Sequence, residues 1–271
     1  MSSETALSEL RLTTRAEHDR IERLLRLTEP MPIERYATIL CGFDAFLRAW
    51  EPRVHAALPE RLQGWYRPRR RGGFASADVE WLRSEAGLEL PETSAHAAAV
   101  LPLGDLAEVL GSLYVIEGSA LGGRVIAPQL KGTLGLAQGR GASYFHGYGG
   151  ETGVMWANFR VLAALEIGES ARDTVRACQS ARRTFAALIE QFASLATEVE
   201  APAEPLAPQR IAPALLMAFG GHAATPPRRA PPDDDHIDLP VDDEPGEGDT
   251  VFDLPFEEPA DGNADTQPLP L

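Results

Sequence analysis

Residues 110–128 read LGSLYVIEGSALGGRVIAP, and the reading of this stretch decides the fold. Leu110, Leu113, Tyr114, Glu117, Leu121 and Val125 recur at three- and four-residue steps, the period of one helix face. Pro128 is expected to end that helix. Yet Gly111, Gly118, Gly122 and Gly123 fall inside it. Each costs a helix interior about 1 kcal/mol relative to alanine. Two things offset such a cost: glycine admits the backbone of a neighbouring helix, or it lets something flat lie directly on the backbone. Close packing is the commoner reason. A membrane-packing pair made of Gly118 and Gly122 fails as a third reading. Glu117 and Arg124 interrupt the apolar run well short of the roughly 20 residues a span requires.

Upstream, residues 5–27 predict a helix with Ser2 or Ser3 as cap. Its stripe is Leu7, Leu10, Thr14, His18, Ile21 and Leu25, which puts His18 on the inward face. A single histidine there is ordinarily a satisfied core residue. Arg11 and Arg15 precede it, and Glu22, one turn on, is read as balancing a nearby arginine. A second helix opens at Met31-Pro32, with Pro32 in its first turn, and fades near Leu58. The basic run RPRRRGG (residues 67–73) reads as a solvated loop. It has no interleaved aromatics, so nucleic-acid binding is rejected. Residues 76–86 predict a short helix capped by Ser76 or Asp78.

Downstream, residues 132–150 are rich in glycine and aromatics and predict a loop with one helical turn at 142–146. Helical patterns return at 151–167 and, capped by Ser170, up to about Val199. Residues 211–219 are apolar and are expected to dock or to form a short helix. No alternating strand pattern occurs, so the expected class is all-α with six to eight helices.

The net charge of −15 is unevenly spread. Residues 225–271 carry 14 Asp/Glu against two Arg and hold 10 of the 22 prolines, so the first 224 residues carry only −3. Such composition predicts a disordered acidic tail. The expected division is a helical domain at 1–199, a proline-containing extension at 200–224 and the tail at 225–271. Cys41 and Cys178 lie in separate apolar runs and predict two unpaired thiols in a reducing compartment. No secretory pattern opens the chain, and a cytoplasmic protein without a membrane span is expected.

Three segments together resemble the haem oxygenase family, and in particular its bacterial members associated with bacteriophytochromes. LRLTTRAEHDRIE (residues 10–22) resembles the family's proximal helix, GSLYVIEGSALGG (111–123) its distal helix, and YFHGYGGETGVMW (144–156) a glycine–aromatic segment of the bacterial subgroup. The resemblance implies His18 as the neutral ligand to haem iron. It implies Gly118 and Gly122, supported by Gly123, as a bare platform for the porphyrin. Arg11 would pair with a haem propionate. Tyr114 is read first as core and second as a residue reaching the distal pocket. The implied activity is cleavage of haem b, as substrate and cofactor, to biliverdin, carbon monoxide and ferrous iron. It uses O2 and electrons from an external ferredoxin- or flavoprotein-type donor. A bacteriophytochrome is the implied recipient of biliverdin. Two departures stand out. Ser119 replaces the aspartate that mammalian members place after the first distal glycine, and Ala157 replaces a basic residue that often follows the tryptophan. Arg160, one turn on, is the substitute for the latter, and the cleaved meso position stays open. The alternatives are a haem-handling protein without turnover and a related helical fold in which His18 is plain core. His146 is expected at a loop or pocket rim, and His55 at the surface.

Overall fold

A computed structural model describes residues 4–199. The extension and tail expected at 200–271, including the apolar 211–219 segment, lie outside the described residues. Among the described residues nine α-helices run in order: α1 (Glu4–Leu25), α2 (Ile33–Ala57), α3 (Glu60–Tyr66), α4 (Gly72–Ser84), α5 (His96–Ala99), α6 (Leu106–Leu134), α7 (Ser143–His146), α8 (Thr152–Ile167) and α9 (Ala171–Val199). Two of them, α5 and α7, are single turns. Among the described residues there is no strand, only isolated bridges from Ala137 to Arg140 and Gly141.

The packing centres on α6. It lies most extensively against α9, which in turn carries α1, while α7 and α8 cover its other sides. Backbone approaches backbone where α6 meets α9. A Cβ on Gly111 would sit 2.0 Å from the Ala177 carbonyl oxygen, so the packing reading of this glycine holds. One turn of side-chain bonding secures the same crossing. Ser112 accepts from Trp50 Nε1 of α2 at 2.8 Å and shares a hydrogen bond with Thr184 of α9 at 2.8 Å. By length and composition alone α6 could cross a membrane, unlike the expectation from its charges. Most of it is buried inside the protein, as in the core helix of a folded domain.

Several sequence-derived boundaries move. Pro128 does not end α6, which runs on to Leu134. Pro128 is exposed, where a missing N–H is tolerated. The true stop is Gly135, whose left-handed φ of +70° lets its N–H close on the Leu130 and Lys131 carbonyls. Pro32 is the N-cap of α2 rather than part of its first turn. α1 ends at Leu25, two residues early, with Arg26 turned to a φ of +49°. α4 starts at Gly72, not at 76. The Glu51 carboxylate accepts the Arg71 and Gly72 N–H groups at 2.7 and 2.8 Å and serves as the anion at that helix N-terminus. Ser76 and Asp78 are therefore not caps. Ser76 donates to Asp44, and Asp78 accepts the Tyr144 N–H at 2.7 Å. Ser170 does cap α9, accepting from Asp173 N–H at 3.2 Å.

Cys41 and Cys178 are both free and buried. Burial, together with Asp44, pushes the Cys41 thiol up to about 11, and burial also raises that of Cys178.

Gly111→Ala is expected to lower the unfolding free energy by roughly 1–3 kcal/mol, because the added methyl drives α6 and α9 apart. Urea denaturation of the two proteins measures the difference.

Candidate functional site

A cavity of about 300 Å³, partly open to solvent, lies between α1, α6, α7 and α9. His18, Ile21 and Leu25 line it from α1, and Phe185 and Leu188 from α9. Gly118, Ser119, Gly122 and Ile126 supply the α6 wall, Tyr144 and Phe145 the α7 wall, and Phe43 contributes from α2. That volume is at the lower end for small-molecule sites, and the lining is mostly apolar with few polar groups, as such sites are.

His18 is held edge-on against Phe185, with ring centroids 6.0 Å apart. Desolvation lowers its pKa, and Asp19 opposes that shift. The neutral imidazole, which is the metal-binding form, is therefore favoured near neutral pH. Glu22 Oε2 stands 3.6 Å from His18 Nδ1, so this carboxylate faces the imidazole, while Arg23 also pulls on it as a neighbouring cation. Burial raises the pKa of Glu22, with Asp19 adding to the shift.

The α6 glycines sort into two kinds. A Cβ on Gly123 would lie 2.0 Å from the Phe145 carbonyl oxygen, so Gly123 exists to let α7 close on α6. A Cβ on Gly122 would meet only Ile126 Cδ1 at 3.7 Å. Nothing in the packing requires glycine at 122; its effect is to leave the cavity wall bare. Gly118 lines the same cavity and is buried.

Behind this wall the basic segment 67–73 is the largest departure from expectation. Arg69 and Arg71 are 4% and 2% exposed, not solvated. Arg69 Nη1 pairs with Glu117 Oε2 at 2.7 Å and also donates to the Met155 carbonyl at 3.1 Å. Its guanidinium lies 4.1 Å from the Trp65 ring centroid. Tyr148 donates to the Arg69 carbonyl at 2.9 Å and stands 3.3 Å from Glu117 Oε1. Burial pushes the Glu117 carboxyl up, and Arg69 and Arg71 pull it back. Arg71 donates to the Ile116 carbonyl and, at 2.8 Å, to Ser119 Oγ. The α3–α4 segment thus grips α6 on both sides of Gly118. The sequence held one sign of this: Glu117 sits on the apolar stripe of α6, and a buried carboxylate demands a buried cation.

The structure gathers His18, Gly118, Ser119 and Gly122 around one cavity. Arg11, Tyr114, Gly123 and Arg160 are not among its lining residues. Tyr114 is buried with its ring 5.6 Å from that of Trp156, its phenol pushed up to about 12 by burial against the pull of Arg11, Thr14 and Arg160. Arg11 of α1 and Arg160 of α8 are therefore each near Tyr114 of α6. His146 is exposed on α7 and His55 half-buried on α2; neither lines the cavity. The sequence places Tyr144 and Phe145 in the glycine–aromatic segment 144–156 but assigns no site role to them or to Phe43, because their place in the cavity depends on how α7 folds back.

No protein-family model and no curated protein sequence matches the chain. Among solved structures it is similar to the haem oxygenase from Neisseria meningitidis, in its NO- and CO-bound crystal structures. The match is 24% identical with a TM-score of 0.52, and covers 75% of this chain and 98% of that one. The chain has the haem oxygenase fold. That likeness carries the helical architecture; the site residues stand on the geometry above.

Gly122→Ala is expected to leave the fold intact and to raise stability by up to about 1 kcal/mol, the helix-propensity gain. Arg69→Met is expected to cost roughly 3–5 kcal/mol by stranding the Glu117 charge. Most of that loss is recovered in the double variant Arg69→Met/Glu117→Leu. Denaturant melts of the four proteins give all three values.

Proposed function

We propose that this chain binds haem in the cavity between His18 and the Gly118–Gly122 wall and degrades it to biliverdin, carbon monoxide and ferrous iron. The observation that carries the reading is that an imidazole biased to its neutral form and two glycines of one helix, Gly118 and Gly122, line one apolar cavity. The donor set fits: one nitrogen ligand, aromatic and aliphatic walls, and at Gly122 a helix position kept bare where no packing demands it. Haem bound there supplies the iron that activates dioxygen and the porphyrin that is oxidised.

The chain's own residues bind, orient and exclude water. His18 is the ligand, and Glu22 beside Nδ1 favours the tautomer in which Nε2 carries the lone pair. Gly118 and Gly122 allow the macrocycle against the α6 backbone. Phe43, Phe185, Leu188 and Ile126 keep the slot apolar. Ser119 takes the place of a carboxylate, with its hydroxyl already donating to the Ile116 carbonyl at 2.8 Å. Arg11, Arg160 and Tyr114 form the polar cluster from which a propionate contact would come. An external ferredoxin- or flavoprotein-type donor and delivery of biliverdin to a bacteriophytochrome complete the reading on the strength of the sequence resemblance, and a cytoplasmic location on that of the two unpaired thiols.

The replacement of a carboxylate by Ser119 favours one second reading, a protein that binds haem without turning it over. Titration of the purified chain with hemin is expected to produce a Soret band. Added ascorbate, or a ferredoxin system, then bleaches that band as biliverdin absorbance grows. Binding without bleaching selects the second reading, and absence of binding removes both. In His18→Ala turnover is expected to disappear, and unchanged turnover would overturn the ligand assignment.

A further inference from the structure

Helix α8 is apolar on nearly every side. Only Arg160 and Glu166 in it carry charge, and Glu166 is tied to Arg61. A helix of this composition is ordinarily buried all round. Phe159, Ala163 and Ile167 do face the core. The opposite face does not. Val154, Asn158, Val161 and Leu165, at steps of four, three and four, stand in solvent, the three apolar side chains 54%, 60% and 73% exposed. Ala157 and Ala164 lie half-buried between them. The other exposed large hydrophobics among the described residues are Leu12, Phe74, Val100, Val125 and Val175, no two on one element. Apolar side chains scattered singly need no explanation, whereas a contiguous stripe marks an interaction surface.

The chain carries a segment of matching character. Residues 211–219 read IAPALLMAF, nine residues without a polar side chain. They follow a linker with three prolines, residues 200–210, and precede the acidic stretch 225–271. Their reach fits the stripe. Tyr114 packs on Trp156 of α8 and is near Cys178 of α9, so the first turns of α8 stand level with Cys178. From Cys178 to Val199, α9 rises about 32 Å. The eleven linker residues span up to about 34 Å at the roughly 3.1 Å rise of a proline-rich chain. Nine extended residues then span up to about 30 Å, more than the roughly 17 Å from Val154 to Leu165 along α8.

We propose that residues 211–219 of this chain dock along the outer face of α8, on the stripe formed by Val154, Val161 and Leu165. A second copy is the other way to cover that face, and charge disfavours it. Each chain carries a net charge of −15, most of it in residues 225–271, so two chains repel. The chain's own segment, tethered by a short linker, meets the face at a high effective concentration. The assignment is independent of what the cavity at His18 holds, because none of the stripe residues lines that cavity.

Photocrosslinking of the full chain tests it. The photoreactive residue p-benzoylphenylalanine is placed at position 161, and in a control protein at position 100, another exposed apolar site. Irradiation is expected to join position 161 to residues 211–219 of the same chain, mapped by mass spectrometry, with a yield at least tenfold above that from position 100. Leu215→Asp/Leu216→Asp in the same protein is expected to lower that yield at least tenfold. Equal yields from positions 161 and 100 overturn the proposal, as does a yield that the double substitution leaves unchanged. Crosslinks from position 161 to a second copy overturn it too, and assign the face to a dimer.

Discussion

Everything in this molecule depends on how near other backbones come to α6. At Gly111 the α9 main chain occupies the space a methyl group would need, and at Gly123 the α7 main chain does the same. These two contacts set the positions of α9 and α7 relative to α6, and with them the side chains each brings to the cavity: Phe185 and Leu188 from one, Tyr144 and Phe145 from the other. Because backbone cannot repack as a side chain can, the width of the slot is determined by main-chain geometry. The bare stretch at Gly118 and Gly122 is then available for a different purpose, since its flanks already hold the neighbours at a fixed distance.

The second layer of the architecture is electrostatic. Arg69, Arg71 and Gly72 of segment 67–73 lie in the interior, where two carboxylates wait: Glu117 on α6 and Glu51 on α2. Arg69 takes the first, and the main-chain N–H groups of Arg71 and Gly72 take the second. With the pair made, and with Tyr148 near the second Glu117 oxygen, breaking it would strand a buried charge, which ties the connection between α3 and α4 to α6. That arrangement delivers the Arg71 side chain to Ser119. A single connection thus serves as a strut for the core and as a polar support for the cavity wall.

Much of this was legible in the residues. The apolar stripes of α1, α6 and α9 and the turn at α7 follow from periodicity, and the inward face of His18 follows from the spacing around it. The divided role of the α6 glycines was legible only as a pair of alternatives, because deciding between them takes the position of Ala177 and Phe145, both distant in sequence. Pro128 and the RPRRRGG run misled for a shared reason. Local preference reads proline as a stop and clustered arginine as solvated, whereas an exposed helix face tolerated the first and buried carboxylates claimed the second. The one clue to the latter, Glu117 on an apolar stripe, names the need for a cation but not which arginine answers it. The 144–156 segment stands out in the sequence, but the surroundings of Tyr144 do not, since they are assembled from α2, α4, α6 and the α3–α4 segment.

The two free thiols make the molecule its own reporter. Cys41 sits in α2 and Cys178 in α9, both buried, and burial raises the pKa of both thiols. Cys178 also lines a solvent-open cavity between α1 and α9. A thiol-labelling reagent at neutral pH therefore reads opening of the α2 core at Cys41 and access through that cavity at Cys178, so comparing the two labelling rates separates breathing of the core from exposure at the α1–α9 face.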